Sequence, residues 1–329
     1  MRNNAIKSLE IGNTIVERCW SGLTGRFAKP WGSKVPRGFE SHPLRHENLL
    51  SYVTRKLNKF MLPTWPEKLL DSKDEEGSHQ FGFSWFPGEL DDAFNKLADV
   101  AEPEDWDYHF TETEHNKPIL FNYLKYTYQR LAQEKKIALS DDGGSAVFNT
   151  GLVTSHQEPI FAVFTANRRP DSNPWVFQDW YNRGQRGLNI FPELPDIAHY
   201  FDDPTCLVFD ARKDFRVNIE HIIAGTPRER FPEPYKSMDD YALQTILRGT
   251  IDNAKERVRR SYKTAIPHFY SGEVQLLLPL CLDNPQRANL ALVVERHSTF
   301  YRAATCLTLD MAYTDARLLA KPDRDWLKP

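Results

Sequence analysis

The segment Val35-Pro36-Arg37-Gly38-Phe39-Glu40-Ser41-His42-Pro43-Leu44-Arg45-His46 decides how much of this chain is available to fold. Read back into DNA, Gly38 to Ser41 is compatible with GGTTCGAATCC, the T-arm sequence of a transfer RNA. His42 to His46 can then supply an acceptor strand, CCTCTCC, followed by G and CCA. Its complement, GGAGAGG, fits the codons of Val16-Glu17-Arg18. Between them, Gly25 to Pro30 can encode a stem around the loop TTGCTAA, which exposes the serine-type anticodon GCT, and Trp31 to Pro36 can encode the arms of a long variable loop. We therefore expect residues 1–46 to be a translated serine tRNA gene, extended and unpacked, with the true start at Met61 or at a non-ATG codon near 49–53. The competing reading is a basic disordered tail or a targeting segment, but there is no apolar h-region and no amphipathic Arg/Ser pattern. Genomic codons unable to form these stems would end the tRNA reading.

Setting that segment aside changes the charge. The chain carries 42 Lys and Arg against 45 Asp and Glu. Residues 1–46 hold eight of the cations (Arg2, Lys7, Arg18, Arg26, Lys29, Lys34, Arg37, Arg45) and three of the acids (Glu10, Glu17, Glu40). The remainder is 34 against 42, a net of −8 in place of −3. An acidic body argues against broad nucleic-acid binding, while leaving room for a local basic stripe. An aromatic content of 12% supplies material for a real core. Cys206, Cys281 and Cys306 are far apart without C-x-x-C pairing, which reads as buried free thiols in a reducing cytosol. The longest apolar run, Leu276 to Leu282, is interrupted by Pro279 and falls far short of the roughly 20 residues of a membrane span. We expect a cytoplasmic protein with no membrane contact. No internal repeat is visible.

Residues 47–87 read as a loosely ordered lead-in, with Lys73 to Ser78 an exposed loop, and residues 88–329 as a single domain. Leu90, Phe94, Leu97 and Val100 recur at helical spacing, and a second helix is expected from Pro118 to about Lys135, capped by Asn116. Asp141-Asp142-Gly143-Gly144 between apolar alternations signals a hairpin turn, and Phe148-Asn149-Thr150-Gly151-Leu152 reads as a turn-like link in which Asn149 either orients a ligand or, in the simpler reading, forms a local Asx turn. Pro159 to Thr165 reads as a buried strand, 167–200 as a long loop, and Cys206 to Phe209 as a short strand. Asn218 should cap a short helix stopped by Gly225. Leu243, Ile246, Leu247, Ile251, Ala254 and Val258 mark one long amphipathic helix near 239–263. Val274 to Leu278, Leu290 to Val294 and Tyr301 to Leu309 follow as three strands. The expected class is α+β, an antiparallel or mixed sheet with packed helices.

The long helix also carries a line of cations, Arg248, Lys255 and Arg259, continued by Lys263, with Arg257 and Arg260 beside it. Such a stripe can contact phosphates of RNA or a nucleotide, or it can simply be solvated and complement the helix dipole. A second cluster holds Arg296, Arg302 and Arg317; pairing across Ser298-Thr299 would bring Arg296 and Arg302 together, unless they form only a solvated hairpin tip. Tyr262, Tyr270 and Tyr301 could stack on bases or belong to the core. The histidines show no metal spacing; His199 with Asp202 and Glu220 with His221 are the nearest to site-like pairs. Phosphate-loop, dinucleotide, nucleophile-elbow and zincin motifs are all missing, so no metal, no cofactor and no catalytic residue is assigned.

Several stretches together resemble a bacterial family catalogued as a domain of unknown function: Glu104 to Tyr108, Tyr123 to Thr127, Phe148 to Leu152, Tyr262 to Pro267, Leu278 to Leu282, Leu307 to Tyr313, Arg317 to Leu319 and the closing Trp326-Leu327. The resemblance spans about 101–327. Members are sometimes joined to cold-shock or helix-turn-helix RNA-binding modules, which implies an RNA-related setting; no such module is attached here, and the family brings no catalytic residues. The expectation is an RNA- or nucleic-acid-associated binding module using the cations named above. The alternatives are a phosphate-handling enzyme acting on a nucleotide or RNA end, with Asp310, His221 or Glu295 as acid or base, and a protein-interaction scaffold.

Overall fold

The computed structural model describes residues 64–70, 72–73, 79–80, 82–109, 114–169, 172–322 and 326–327. Residues 1–46, for which a translated tRNA gene is expected, the alternative starts and most of the Lys73 to Ser78 loop lie outside these residues. β1 (Ser72–Lys73) and β2 (His79–Gln80) form a small antiparallel pair. Beyond them the chain makes two five-stranded mixed sheets and, among the described residues, five α-helices. This is the α+β class.

The two sheets follow one path. In the first, β3 (Ser84–Trp85) leads to α1 (Leu90–Val100) and α2 (Pro118–Gln133). Next comes an antiparallel meander of β4 (Ala138–Leu139), β5 (Ser145–Val153), β6 (Pro159–Ala166) and β7 (Trp175–Asn182), and β3 closes the edge parallel to β7. In the second, β8 (Asp214–Val217) leads to α3 (Ile219–Gly225) and α4 (Asp240–Arg260). A meander of β9 (Ile266–Tyr270), β10 (Glu273–Leu280), β11 (Leu290–Arg296) and β12 (Phe300–Leu307) follows, and β8 lies parallel to β12. A last helix, α5 (Leu309–Arg317), has no counterpart in the first run. The chain therefore repeats its topology although the sequence shows no repeat. The repeat lies in the strand order, while the helices differ in length: 11 and 16 residues in the first run, 7 and 21 in the second.

Burial on both faces explains the apolar runs of the inner strands. In the first sheet Ala146, Phe148, Phe164 and Phe177 face α1 and α2, whereas Val147, Phe161 and Val163 are covered by Leu188 and Phe191. In the second, Leu276, Leu278, Leu292, Val294 and Tyr301 pack with Leu243, Leu247, Ile251 and Val258 of α4 and Ile222 of α3. Its other face, with Ile266, Leu277, Val293 and Leu307, joins α5, α2 and the first sheet in one continuous core. Asn218 caps α3, its Oδ1 accepting from the His221 amide at 3.1 Å.

Five local readings need correction. The stretch 167–200 contains strand β7, because Trp175, Phe177 and Trp180 are buried despite their polar neighbours. Cys206 and Leu207 belong to a 3-10 turn (Pro204–Leu207) rather than a strand, with the Asp203 carboxylate capping the Thr205 amide at 2.9 Å. Helix α2 is entered through Lys117 without a side-chain cap; the Asn116 amide instead points to Asp91, 3.4 Å away. Phe148 to Leu152 lies within β5, where a register shift between Asn149 and Val153 accommodates an Asx turn, the Asn149 Oδ1 accepting from the Gly151 amide at 3.0 Å. Gly151 has φ of +73°, and a Cβ there would sit 2.6 Å from the Tyr123 hydroxyl. The described part of the lead-in is core: Leu69, Phe83 and Phe86 are buried, and Tyr128 donates to the Pro66 carbonyl at 2.9 Å.

The three described cysteines are free. Burial pushes the Cys306 thiol up to about 12. It should remain protonated, and untouched by iodoacetamide at pH 8, until the chain unfolds. Mass mapping of alkylated native protein checks this; rapid native labelling of Cys306 would contradict the packing of β12.

Candidate ligand cavity

A cavity of about 340 Å³ opens on the α5-facing side of the second sheet. Its walls come from elements far apart in sequence. Strand alternation turns His268 and Tyr270 of β9 inward, and Gln275 stands opposite His268 on β10. Val293 and Glu295 follow on β11. Helix α5 contributes Asp310, Met311, Thr314 and Asp315, a single face at helical spacing. Helix α2 contributes Asn122 and Tyr126, the segment after α1 contributes Tyr108 and His109, and Arg230 reaches in from a 3-10 turn. Arg230 is held by a hydrogen bond from Nη1 to the Cys306 carbonyl at 3.1 Å. Tyr126 and Tyr270 also line an adjoining groove, so the cavity has an aromatic mouth.

His268 is the least expected of these residues. Its side chain is 1% exposed, and neither ring nitrogen has a hydrogen-bond partner among the described residues. The nearest acid, Asp315, has Oδ2 3.8 Å from Nδ1, too far for a hydrogen bond. A buried polar group left unpaired costs about 1–3 kcal/mol. Asp310 at the start of α5 accepts from the Thr308 hydroxyl. Burial, then the charge of Asp310, raises the Tyr108 phenol, and burial, then Asp315, does the same for Tyr126. Both tyrosines are neutral hydroxyl donors at pH 7. Glu295 is already engaged by Arg302, whose Nε donates at 2.7 Å. The interior thus offers three carboxylates, that of Glu295 paired with Arg302, one guanidinium, two amides and three phenol rings. Among the described residues, no group of three His, Cys, Asp or Glu could hold a metal ion.

The seven cations singled out in sequence do not converge. Arg248 and Lys255 border a shallow groove between α3 and α4, with Glu220 and Asp252 in the same lining. Lys255 lies 3.4 Å from Asp252 and over the Phe215 ring. Arg259 pairs with Glu256 at 3.0 Å, and Lys263 is exposed past the end of α4. Arg248 and Lys263 carry no ion pair among the described residues. Arg296 and Arg302 are not brought together: the register sets Glu295 opposite Arg302 and Arg296 opposite Tyr301, so successive side chains leave opposite faces. Arg296 donates to Thr205 Oγ1 at 3.2 Å. Arg317 is buried against Glu104, with Nε to Oε1 at 2.8 Å, and stacks over Tyr123 and Trp106. Tyr301 is core, its hydroxyl accepting from the Asp210 amide at 2.9 Å, so it cannot stack on a base.

Of the acid/base candidates, Asp310 and Glu295 meet in the cavity, whereas His221 is exposed on α3 and does not line it. His199 and Asp202 are an exposed pair at 3.4 Å. Sequence reasoning passed over His268 and Asp315. The available signal was the inward alternation Ile266, His268, Tyr270, which places a histidine at a core position of a strand.

Fold and cavity together define a two-sheet α+β domain with an acidic, tyrosine-lined cavity. Residues 97–326 match the family described as Domain of unknown function (DUF3825), and the chain belongs to that family. No curated protein and no solved structure matches it. Among the described residues no helix is long and apolar enough to cross a membrane.

Proposed function

We propose that this chain binds a nucleotide, free or at an RNA end, with the base in the cavity and the phosphate outside. The observation that carries this reading is His268: a buried, unpartnered imidazole beside Asp315 in a tyrosine-lined cavity large enough for a small ligand. Phosphate is poorly matched to the interior, where Asp310 and Asp315 outnumber Arg230. Planar rings suit Tyr108, Tyr126 and Tyr270, and base N–H groups suit the carboxylates. The resemblance to chains joined to cold-shock or helix-turn-helix modules supports an RNA setting in a bacterial cytoplasm. Asp310 of α5 and Glu295 of β11, both lining the cavity, favour, as a second reading, acid/base processing of the bound nucleotide.

Calorimetric titration with nucleoside monophosphates and short single-stranded RNA tests the binding. Saturable binding is expected, weakened at least tenfold by Asp315→Asn and by His268→Leu. The salt slope should be shallow, since each phosphate contact on a single strand contributes only ~0.7. No binding at low salt, or binding indifferent to both substitutions, would overturn the reading. Chromatography of the incubated nucleotide separates processing from binding alone.

A further inference from the structure

Resting on the nucleotide reading of the cavity, we infer that the base it selects is guanine. The selecting group is Asp315. Its side chain is only 18% exposed, and it makes no hydrogen bond among the described residues. An ionised carboxylate is acceptor-only and takes two parallel N–H donors best. Beside it stands His268, which as a neutral imidazole has one donor and one acceptor to satisfy. Arg230 supplies further donors to the same space. The wall therefore presents a paired acceptor next to imidazole and guanidinium donors.

Among the neutral bases, only guanine carries two adjacent N–H donors, N1–H and N2–H, next to a carbonyl acceptor, O6. Set on this wall, the two donors face Asp315 and O6 accepts from His268 or Arg230. Adenine and cytosine place a bare ring nitrogen beside their amino group, where it meets a carboxylate lone pair. Uracil has one N–H flanked by two carbonyls, which repel a carboxylate. A site built to hydrogen-bond an edge rejects a ligand lacking that edge far more strongly than an apolar pocket could. Tyr126 and Tyr270 at the mouth fit a purine face.

The test is a calorimetric comparison of GMP, IMP, XMP, AMP, CMP and UMP on the full chain. GMP should bind at least ~100-fold more tightly than AMP, CMP or UMP. IMP, lacking N2–H, should be weaker than GMP by roughly tenfold or more. Asp315→Asn should reverse the order of GMP and XMP, because its amide can donate to the C2 carbonyl of xanthine. A variant that had merely lost structure would weaken every ligand alike and leave that order unchanged. Thermal unfolding of the variant alone identifies that case, and Asp315→Glu then repeats the comparison. Equal affinity for all the monophosphates would overturn the guanine assignment and leave the nucleotide reading standing. Absence of binding by any of them would overturn both. Methylguanidine competing with GMP as effectively as guanosine does would show a site for guanidinium cations and overturn the base assignment.

Discussion

Glu104→Ala should cost this fold about 3–5 kcal/mol, the usual penalty for leaving a buried charge without its partner. Glu104 and Arg317 are 3% and 13% exposed, and both Glu104 oxygens accept from Arg317 Nε, at 2.8 and 2.9 Å. The Tyr313 hydroxyl donates to Oε1 of the same carboxylate at 2.9 Å. Truncation therefore strands a guanidinium and a phenol together. That guanidinium lies over the rings of Tyr123 and Trp106, 4.7 and 5.3 Å from their centroids, in a place water cannot easily reach. The pair also ties α5 to the segment after α1, so the loss should be global. Urea unfolding should show a lower midpoint at unchanged slope. Replacing both partners, Glu104→Gln with Arg317→Met, should recover part of the loss, because it removes the uncompensated charge. A Glu104→Ala change within about 0.5 kcal/mol of the parent would contradict the burial of this pair.

Phe164→Ala should be comparably damaging, again about 3–5 kcal/mol. Phe164 is fully buried on β6, the middle strand of the first sheet, and its ring lies 5.1 Å from Phe83, 5.4 Å from Phe148 and 5.6 Å from Phe177. These neighbours come from three separate stretches of chain, so none can collapse into the space without moving the others. The loss includes transfer free energy, a cavity, and edge-to-face contacts worth about 0.5–1.5 kcal/mol each. Phe164→Leu should retain much of the packing. Denaturant midpoints of the two variants give the comparison, and equal midpoints would show that the cavity closes without cost.

What the sequence revealed depended on how many residues had to agree. Val274 to Leu278 and Leu290 to Val294 could be read as strands because every side chain there is apolar and both faces of the sheet are covered. Trp175 to Asn182 escaped notice because only Trp175, Phe177 and Trp180 are fully buried, and a register shift between Val163 and Phe164 on the partner strand disturbs the period of two. The cavity was half visible. Asp310, Glu295 and Tyr270 stood out as polar or aromatic groups near strand ends. His268 and Asp315 did not, because what sets them apart is missing hydrogen bonds, a property of packing that no spacing encodes. The cation clusters misled for the converse reason: charge is plain in a sequence, but Glu104 and Glu295, which engage Arg317 and Arg302, sit where only the folded register puts them.

A chain that runs the same path twice is equivalent to two half-length chains joined end to end. Joining frees the halves to diverge. Here the sheet face turned away from each half's own helices met a different fate: the first was sealed by the loop bearing Leu188 and Phe191, and the second received α5. The cavity takes α2 from the first half and β9 to β12 from the second, so neither half encloses it alone. Cutting the chain between the two runs would therefore open the cavity, since its walls are shared between them and α5.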